Sequence, residues 1–376
     1  MIWRNTCVAF LGLALLSAAA GASAQATVWP YDGTGSQTDK PSDNPPPDNS
    51  ASIAKLRKAA DGGDNEARVN LGSVLEQAYP VGTPDLAGAL ALYEKAADEY
   101  NRYGRERMCV AYLLGEGRPV NLAKAMSYCS KLPDTDPVGL FSAGYEYDHG
   151  IGGPKDVDTA IAFYSQAIKA GSGEAMDAIG EKAMDASNPS GARRWFRQAV
   201  VAGSADGMAH LAALLESGQG GAVDADEAGW LYVNAARRGN ADAARWVAAH
   251  PDWRPLQRVQ VADGKTSLIS QTITDDKGTR TIPFDIAALA KAMADYYPPN
   301  AAAMRLDASV SIHCYIDGGN RIDVCLPENE YPVGYGFGPL VLALYNGDLS
   351  VPATNTSGET TANKVAVFTY HWTVDR

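Results

Sequence analysis

From about residue 52 to residue 250, small and apolar positions recur with the three-to-four-residue spacing of amphipathic helices. The clearest motif is an alanine followed three and four residues later by larger side chains. Copies of this motif begin at Ala89, Ala125, Ala160, Ala192 and Ala228, so the spacings are 36, 35, 32 and 36 residues. A second helical pattern, in places closed by Gly-x-Gly, lies between successive copies. The chain therefore predicts pairs of helices that repeat with a period in the mid-thirties.

Glycine and aspartate mark the expected ends of these helices. Four glycines fall where a helix C terminus favours a left-handed residue, namely Gly63, Gly171, Gly203 and Gly239. Three aspartates precede second helices, where a carboxylate can cap free N–H groups, namely Asp85, Asp156 and Asp224. The period and the caps favour a stacked α-solenoid of helix-turn-helix repeats over a helical bundle without repeats.

The repeat resembles the Sel1-like repeat family, a relative of the tetratricopeptide repeat, over residues 52–250. The match is best in the copies at 103–132 and 136–171, whereas the copy at 172–203 has a shortened turn at Asn188-Pro189. The resemblance implies a TPR-like scaffold for protein–protein interaction. A solenoid of this kind presents its concave surface to peptides or other proteins.

The repeat register also predicts a disulfide. A small residue of the first helix aligns with a ring of the second helix in four copies, namely Gly72 with Tyr93, Gly144 with Tyr164, Gly180 with Phe196, and Ala212 with Tyr232. The remaining copy has Cys109 and Cys129 at these two positions. We therefore expect their sulfur atoms to meet and form a disulfide, the alternative being two buried free thiols.

A small α/β domain is expected after the solenoid. Residues 251–296 form a connecting segment with short strands, a turn at Asp275-Asp276-Lys277-Gly278 and a helix over 284–295. Residues 297–376 follow the order β-β-α-β, with strands at 308–316, 321–326 and 364–373 and a helix at 338–345. This order and the Tyr-Pro-x-x-Ala start at Tyr297 resemble the C-terminal domain of the TonB energy-transducer family.

Two cysteines flank the turn of the predicted hairpin in this domain. A four-residue turn would place Cys314 opposite Asp323, so that Cys325 is a diagonal neighbour on the same face. Such neighbours are about 7–8 Å apart, slightly far for a disulfide. One bulged residue in the turn would shorten the distance. With this adjustment we expect a Cys314–Cys325 disulfide.

The last strand is the expected partner-binding site. In the TonB family a short extended segment of an outer-membrane receptor binds beside the last strand, which is β-augmentation. The equivalent residues here are Val365, Ala366, Val367, Phe368, Thr369, Tyr370 and His371. We expect their strand edge to be open and to pair with a periplasmic or outer-membrane protein or peptide, or with a second copy in a homodimer. Ala366→Pro should then abolish binding. The alternative is a domain that keeps the fold without the interaction.

The N terminus predicts export. Residues 1–24 have a basic start at Arg4, an apolar run over 8–20 and an Ala22-Ser23-Ala24 cleavage site before Gln25, as in a signal peptide. Residues 25–51 are rich in Pro, Ser and Asn and predict a disordered linker. The mature protein is then periplasmic, without stable membrane insertion. The alternative is an uncleaved inner-membrane anchor. The net charge of -12 disfavours nucleic-acid binding.

No combination of residues indicates catalysis, a cofactor or a metal. Five histidines are scattered over both domains. Ser52-Ile53-Ala54-Lys55 matches the Ser-x-x-Lys of penicillin-recognising enzymes, but a Lys-Thr-Gly element is missing and Ser52 is better interpreted as a helix N-cap. We therefore expect a non-enzymatic periplasmic scaffold or adaptor. The alternatives are a TonB-like energy transducer with a retained anchor and, more remotely, a periplasmic serine acyl hydrolase.

Overall fold

A computed structural model describes residues 24–29, 49–77, 85–254, 256–259, 261, 269–275, 278–283, 308–331, 341–342, 345 and 348–374. The helices in this part of the chain are α1 Asn49–Asp61, α2 Asn65–Gln77, α3 Leu86–Asp98, α4 Arg102–Leu114, α5 Leu122–Cys129, α6 Pro137–His149, α7 Val157–Lys169, α8 Gly173–Asp185, α9 Pro189–Val201, α10 Ala205–Ser217, α11 Ala225–Arg237 and α12 Ala241–Ala249. Consecutive helices pack as antiparallel pairs, which confirms the helical repeat solenoid.

The helices begin and end where the sequence places caps. The side chains of Asp85, Asp156 and Asp224 each accept a hydrogen bond from a backbone N–H in the first turn of α3, α7 and α11. Gly63, Gly171, Gly203 and Gly239 all have positive φ, which a residue with a Cβ rarely adopts. Local sequence therefore accounts for both ends of most repeats.

Close approach within each pair explains the small residue of the first helix. A Cβ added to Gly144 would lie 2.7 Å from the ring of Tyr164, and one added to Gly180 would lie 2.4 Å from the ring of Phe196. The ring packs directly on the backbone of the facing helix, so these positions cannot carry a larger residue without displacement.

The solenoid is curved so strongly that its second and fifth repeats are in contact. The backbone N–H of Gly117, in the turn after α4, donates to the carbonyl of Gly239, after α11, at 3.2 Å. A Cβ on Gly239 would lie 2.5 Å from the Gly117 nitrogen. This contact joins distant repeats and narrows the space along the concave side.

A mixed sheet occupies that concave side. Its strands in the described residues are β1 Ala24–Trp29, β2 Arg258–Val259, β3 Ser270–Asp275, β4 Gly278–Pro283, β5 Ala308–Ile316, β6 Arg321–Tyr331, β7 Asp348–Ser350 and β8 Lys364–Val374. Their order is β1-β8-β5-β6-β7-β3-β4, with β2 also paired to β8. Strand β6 packs against both α2 and α9, so the sheet lies between early and late repeats.

Both faces of the sheet are buried around its central strands β5, β6 and β8. On one face Tyr315, Val324 and Leu326 join the apolar core of α9–α12. On the other face Ile312, Cys314, Ala366 and Phe368 pack on Val341, Leu342 and Tyr345. The concave surface that the sequence assigns to an external partner is thus filled largely by the protein's own sheet.

The structure corrects one predicted boundary and leaves others outside the described residues. The segment 25–51, predicted as a linker, contains most of β1 and the start of α1, because α1 begins at Asn49. Ser52 therefore lies inside the first turn of α1 and is not its N-cap. The helix predicted over 284–295 and the Tyr297 start of the C-terminal domain lie outside the described residues. Of the helix predicted over 338–345, residues 341–342 are helical.

Candidate functional site

The amides of β8 alternate between its two edges, because successive residues of a strand direct their N–H groups oppositely. Val365 donates its backbone N–H to the carbonyl of Gln257 at 2.9 Å. The odd-numbered residues therefore direct their N–H groups away from β5, and the even-numbered residues direct theirs towards it. We call the edge away from β5 the outer edge of β8.

Short strands of the same chain cover this outer edge, so the open edge predicted from the sequence is wrong. Residues Arg258–Val259 of β2 pair in parallel with Val365 and Ala366. Strand β1 pairs antiparallel with Thr369 to Val374, with Trp29 opposite Thr369. A partner strand at Val365 to His371 would thus have to replace β1 over part of that length.

The same alternation corrects the expected effect of Ala366→Pro. Ala366 lies opposite Cys314 of β5, is fully buried and directs its N–H towards β5. A proline there would remove a hydrogen bond inside the sheet rather than one at the outer edge. The informative positions at the outer edge are the odd-numbered residues, such as Thr369.

The structure places both predicted cysteine pairs at disulfide geometry. Cys109 and Cys129 join α4 to α5, with Cα atoms 5.0 Å apart. Cys314 and Cys325 join β5 to β6, with Cα atoms 4.0 Å apart. These two are direct opposites in the ladder, whereas the sequence places Cys314 opposite Asp323. Ile316 pairs with Ile322 and not with Arg321, and a further register shift lies in the strand between Cys314 and Ile316 and not in the turn. One disulfide therefore lies in the solenoid and the other in the sheet.

Polar contacts fix the sheet against the solenoid. The hydroxyl of Tyr315 donates to Asp224, the N-cap of α11, at 3.1 Å. The guanidinium of Arg197 on α9 pairs with Glu227 on α11 and with Asp323 on β6. Arg238 donates to the carbonyl of Pro327 at 2.9 Å. Sequence reasoning missed these contacts, since each joins residues far apart in the chain.

A charged cavity of about 180 Å³ remains between the solenoid and the sheet. Its polar lining comes from α2, α4 and the turn after it, α8, α11 and β5. These residues are Glu76, Tyr103, Arg107, Glu116, Glu174, Asn234, Arg237, Arg238 and His313. Leu326 and Pro327 of β6 supply apolar lining. The cavity thus exists because the sheet closes the concave side of the solenoid incompletely.

The guanidinium of Arg107 forms ion pairs with two carboxylates in this cavity. Arg107 lies 2.6 Å from Glu76 and 3.4 Å from Glu116, while its Nε is buried without an acceptor among the described residues. Burial raises the pKa of Glu116 to about 8, because Arg107 offsets the loss of hydration only in part. Arg237, in contrast, is exposed at the end of α11.

The described residues hold no group of three or more His, Cys, Asp or Glu side chains suited to a metal ion. The ring of His210 faces Asp177, and the rings of His149 and His250 stack on neighbours of their own helices. His313 lines the cavity, and the side chain of His371 lies outside the description. No helix of the described part is long and apolar enough to span a bilayer.

Comparison with known proteins identifies the repeat. The Sel1 repeat family model matches residues 65–101, 102–132, 137–172, 180–203 and 205–240, so these helical pairs are similar to Sel1 repeats. Sel1 repeat proteins are generally protein-interaction scaffolds and typically not enzymes. The search of curated proteins finds no match.

Several solved structures are similar to this chain over about half of its length. A protective antigen of uropathogenic Escherichia coli with an SLR fold is 25% identical over 53% of this chain and 43% of its own, with a TM-score of 0.30. A Sel1 repeat protein from Oxalobacter formigenes is 21% identical over 53% and 89%, with a TM-score of 0.33. The immunity protein Pa5087 from Pseudomonas aeruginosa is 20% identical over 54% and 85%, with a TM-score of 0.30.

Proposed function

We propose that this protein is a non-enzymatic periplasmic scaffold or adaptor that binds a strand of a partner protein along the outer edge of β8. The proposal rests on the short length of the strands that cover this edge. Strand β5 pairs with β8 over nine residues, from Ala308 to Ile316, whereas β1 and β2 cover six and two residues. A short cover of separate segments is the part of the sheet that another strand can replace.

Exchange at this edge follows from the sequence around β1. Gln25 is the predicted first residue of the mature chain, and the segment between β1 and α1 is rich in proline and polar residues. A strand held by such a linker competes with a partner at an effective concentration in the millimolar range. Main-chain hydrogen bonds would give the partner its affinity, as in other cases of β-augmentation. The TonB-like resemblance of residues 297–376 supports the same strand, and a second copy is one partner that could supply it.

The periplasmic location rests on the signal-like N terminus and the disulfides. Two disulfides suit an oxidising compartment, because the cytosol keeps thiols reduced. The energy-transducer alternative is less well supported. Only three residues separate the apolar run ending at Ala20 from Ala24 of β1, a distance of about 14 Å at most when extended. A retained anchor would hold the sheet at the membrane surface while β1 stays paired.

Two proline variants with opposite expected effects test the proposal. Thr27 lies opposite His371 in the same hydrogen-bonding phase as the Trp29–Thr369 pair. Thr27→Pro should weaken β1 and free the outer edge, while Thr369→Pro should remove an outer-edge donor that any strand needs. A photo-crosslinking amino acid at Lys364, the first residue of β8, would capture partners in whole cells for mass spectrometry.

The expected result is more crosslinked partner with Thr27→Pro and little or none with Thr369→Pro. Gln37→Pro, in the proline-rich segment, is the matched control and should leave capture unchanged. Circular dichroism checks that each variant folds. Equal capture by all three folded variants would move the binding function from β8 to the surface of the repeats.

A further inference from the structure

We propose that the cavity between the solenoid and the sheet binds a small zwitterion of the amino-acid or short-peptide kind. This site is separate from the outer edge of β8, so it does not depend on the strand-exchange function. The inference rests on three properties of the cavity, which are the separation of its charges by element, the incomplete pairing of those charges, and its size.

The charges come from two different parts of the solenoid. Carboxylates are contributed by α2, by the turn after α4 and by the first turn of α8, through Glu76, Glu116 and Glu174. Arg107 is the cation among them, so this acidic side keeps an excess of carboxylates. The end of α11 supplies two guanidinium groups, Arg237 and Arg238. The ligand that complements both sides carries an ammonium group and a carboxylate.

One charged group on each side, Glu116 and Arg237, is incompletely paired within the described residues, whereas Arg238 already donates to the carbonyl of Pro327. The side chain of Glu116 is 5% exposed, and its contact with Arg107, at 3.4 Å, is shared with the shorter Glu76 pair. An ammonium group beside Glu116 would supply the missing counter-charge. Arg237 is exposed, which brings the cavity to the surface and leaves its guanidinium accessible to a carboxylate. Charge-assisted hydrogen bonds at both ends would orient the ligand.

The size of the cavity limits the ligand. A cavity of about 150 Å³ can hold benzene, so 180 Å³ admits a molecule of roughly six to eight non-hydrogen atoms, or the end of a slightly longer one. Leu326 and Pro327 offer apolar contacts to a short aliphatic side chain. A free amino acid or the end of a di- or tripeptide fits these limits.

Calorimetric titration of the purified mature protein with defined probes tests the inference. The probes are the twenty amino acids and trialanine, each with free, N-acetylated or C-amidated termini. We expect binding of at least one free-ended probe, and at least tenfold weaker binding when either end is blocked. Binding of free amino acids without trialanine would identify the monomer as the source, and the converse would identify short peptides.

Charge-neutral variants locate the site. Glu116→Gln and Arg237→Gln should each weaken binding about tenfold, which equals about 1.4 kcal/mol. Arg245→Gln changes an exposed arginine that pairs with Asp242 on α12 and should have no effect. The inference is overturned if no probe binds more tightly than about 10 mM, if blocked probes bind as well as free ones, or if the three folded variants bind alike.

Discussion

At the scale of residues, a second-helix tyrosine hydroxyl and a first-helix carboxylate occur together or not at all at the facing positions of a repeat, and the carboxylate is buried in two of the three cases. In three repeats the second-helix tyrosine donates to an acid four residues beyond the facing small residue, namely Tyr93 to Glu76, Tyr164 to Asp148 and Tyr232 to Glu216. The other two repeats have Cys129 with Leu113 and Phe196 with Met184 at the same positions. Buried polar groups require partners, which explains why the two positions change together.

Tyr93→Phe tests the importance of this pairing. The change removes only the hydroxyl, which is fully buried and lies 2.9 Å from the Glu76 carboxylate. The loss of this charge-assisted bond should lower the free energy of unfolding by about 1–3 kcal/mol, measured by urea denaturation. Tyr147→Phe is the control, because Tyr147 is 42% exposed. Equal stability of the two variants would show that the hydroxyl–carboxylate pair is dispensable.

His210 should make the stability depend on pH. Burial alone would lower the pKa of His210, but the Asp177 carboxylate, 2.9 Å from its Nδ1, raises it to about 9. The folded pKa exceeds the unfolded value of about 6.5, so this stabilisation is complete below about pH 6.5 and is lost as the pH rises through about 9. The unchanged protein should therefore lose stability between pH 7 and pH 9.5. The His210→Gln variant should lose about 1 kcal/mol less over the same pH range. Parallel denaturation curves for both proteins across this range would argue against the ion pair.

At the scale of elements, repeat register predicts contacts that simple strand geometry misses. Aligning the copies was sufficient to place Cys109 against Cys129, because each repeat uses the same facing positions. The hairpin prediction for Cys314 needed a bulge in the turn, whereas the register shift next to Cys314 lies in the strand. The linker prediction for residues 25–51 misses β1, although Ala26-Thr27-Val28-Trp29 is rich in strand-forming residues. The proline-rich sequence after it obscured a short element that pairs with β8.

The disulfide between α4 and α5 should be an important stabilising element of the second repeat. It closes a loop of 20 residues, for which the chain-entropy model gives about 3 kcal/mol. The double variant Cys109→Ala/Cys129→Ala should therefore lower the free energy of unfolding by about that amount, measured in guanidinium chloride. Preparing the protein in reducing buffer provides a check, because the double variant should then differ much less from the unchanged chain.

At the scale of the whole molecule, the sheet is part of the solenoid's core. The sequence predicted the two domains separately, since periodicity describes the inside of each domain and says little about which surfaces meet. The face of β5 and β6 that is directed towards the solenoid carries Tyr315, Val324 and Leu326, and all three are buried there. An apolar residue on the second face of a strand is the signal that indicates a sheet covered on both sides.

Arg197 should be the strongest single polar link between the two domains. Its removal leaves Glu227, whose side chain is 1% exposed, without its cation, and it also releases Asp323 on β6. Arg197→Ala should cost about 3 kcal/mol of stability, as when one partner of a buried ion pair is lost. Arg193→Ala removes a nearby arginine that binds an exposed carbonyl and should cost under about 1 kcal/mol. Similar melting curves for the two variants would indicate that apolar contacts alone hold the sheet.

Locking β1 onto β8 tests the central claim most directly. Val28 lies opposite Tyr370, so cysteines at both positions can form a disulfide that prevents exchange of the strand. The single variants Val28→Cys and Tyr370→Cys carry the same substitutions without the lock, and binding is measured as photo-crosslinked partner from Lys364 in whole cells. Our account predicts that the double variant loses the partner while both single variants retain it. Undiminished partner capture by the fully locked protein would contradict it.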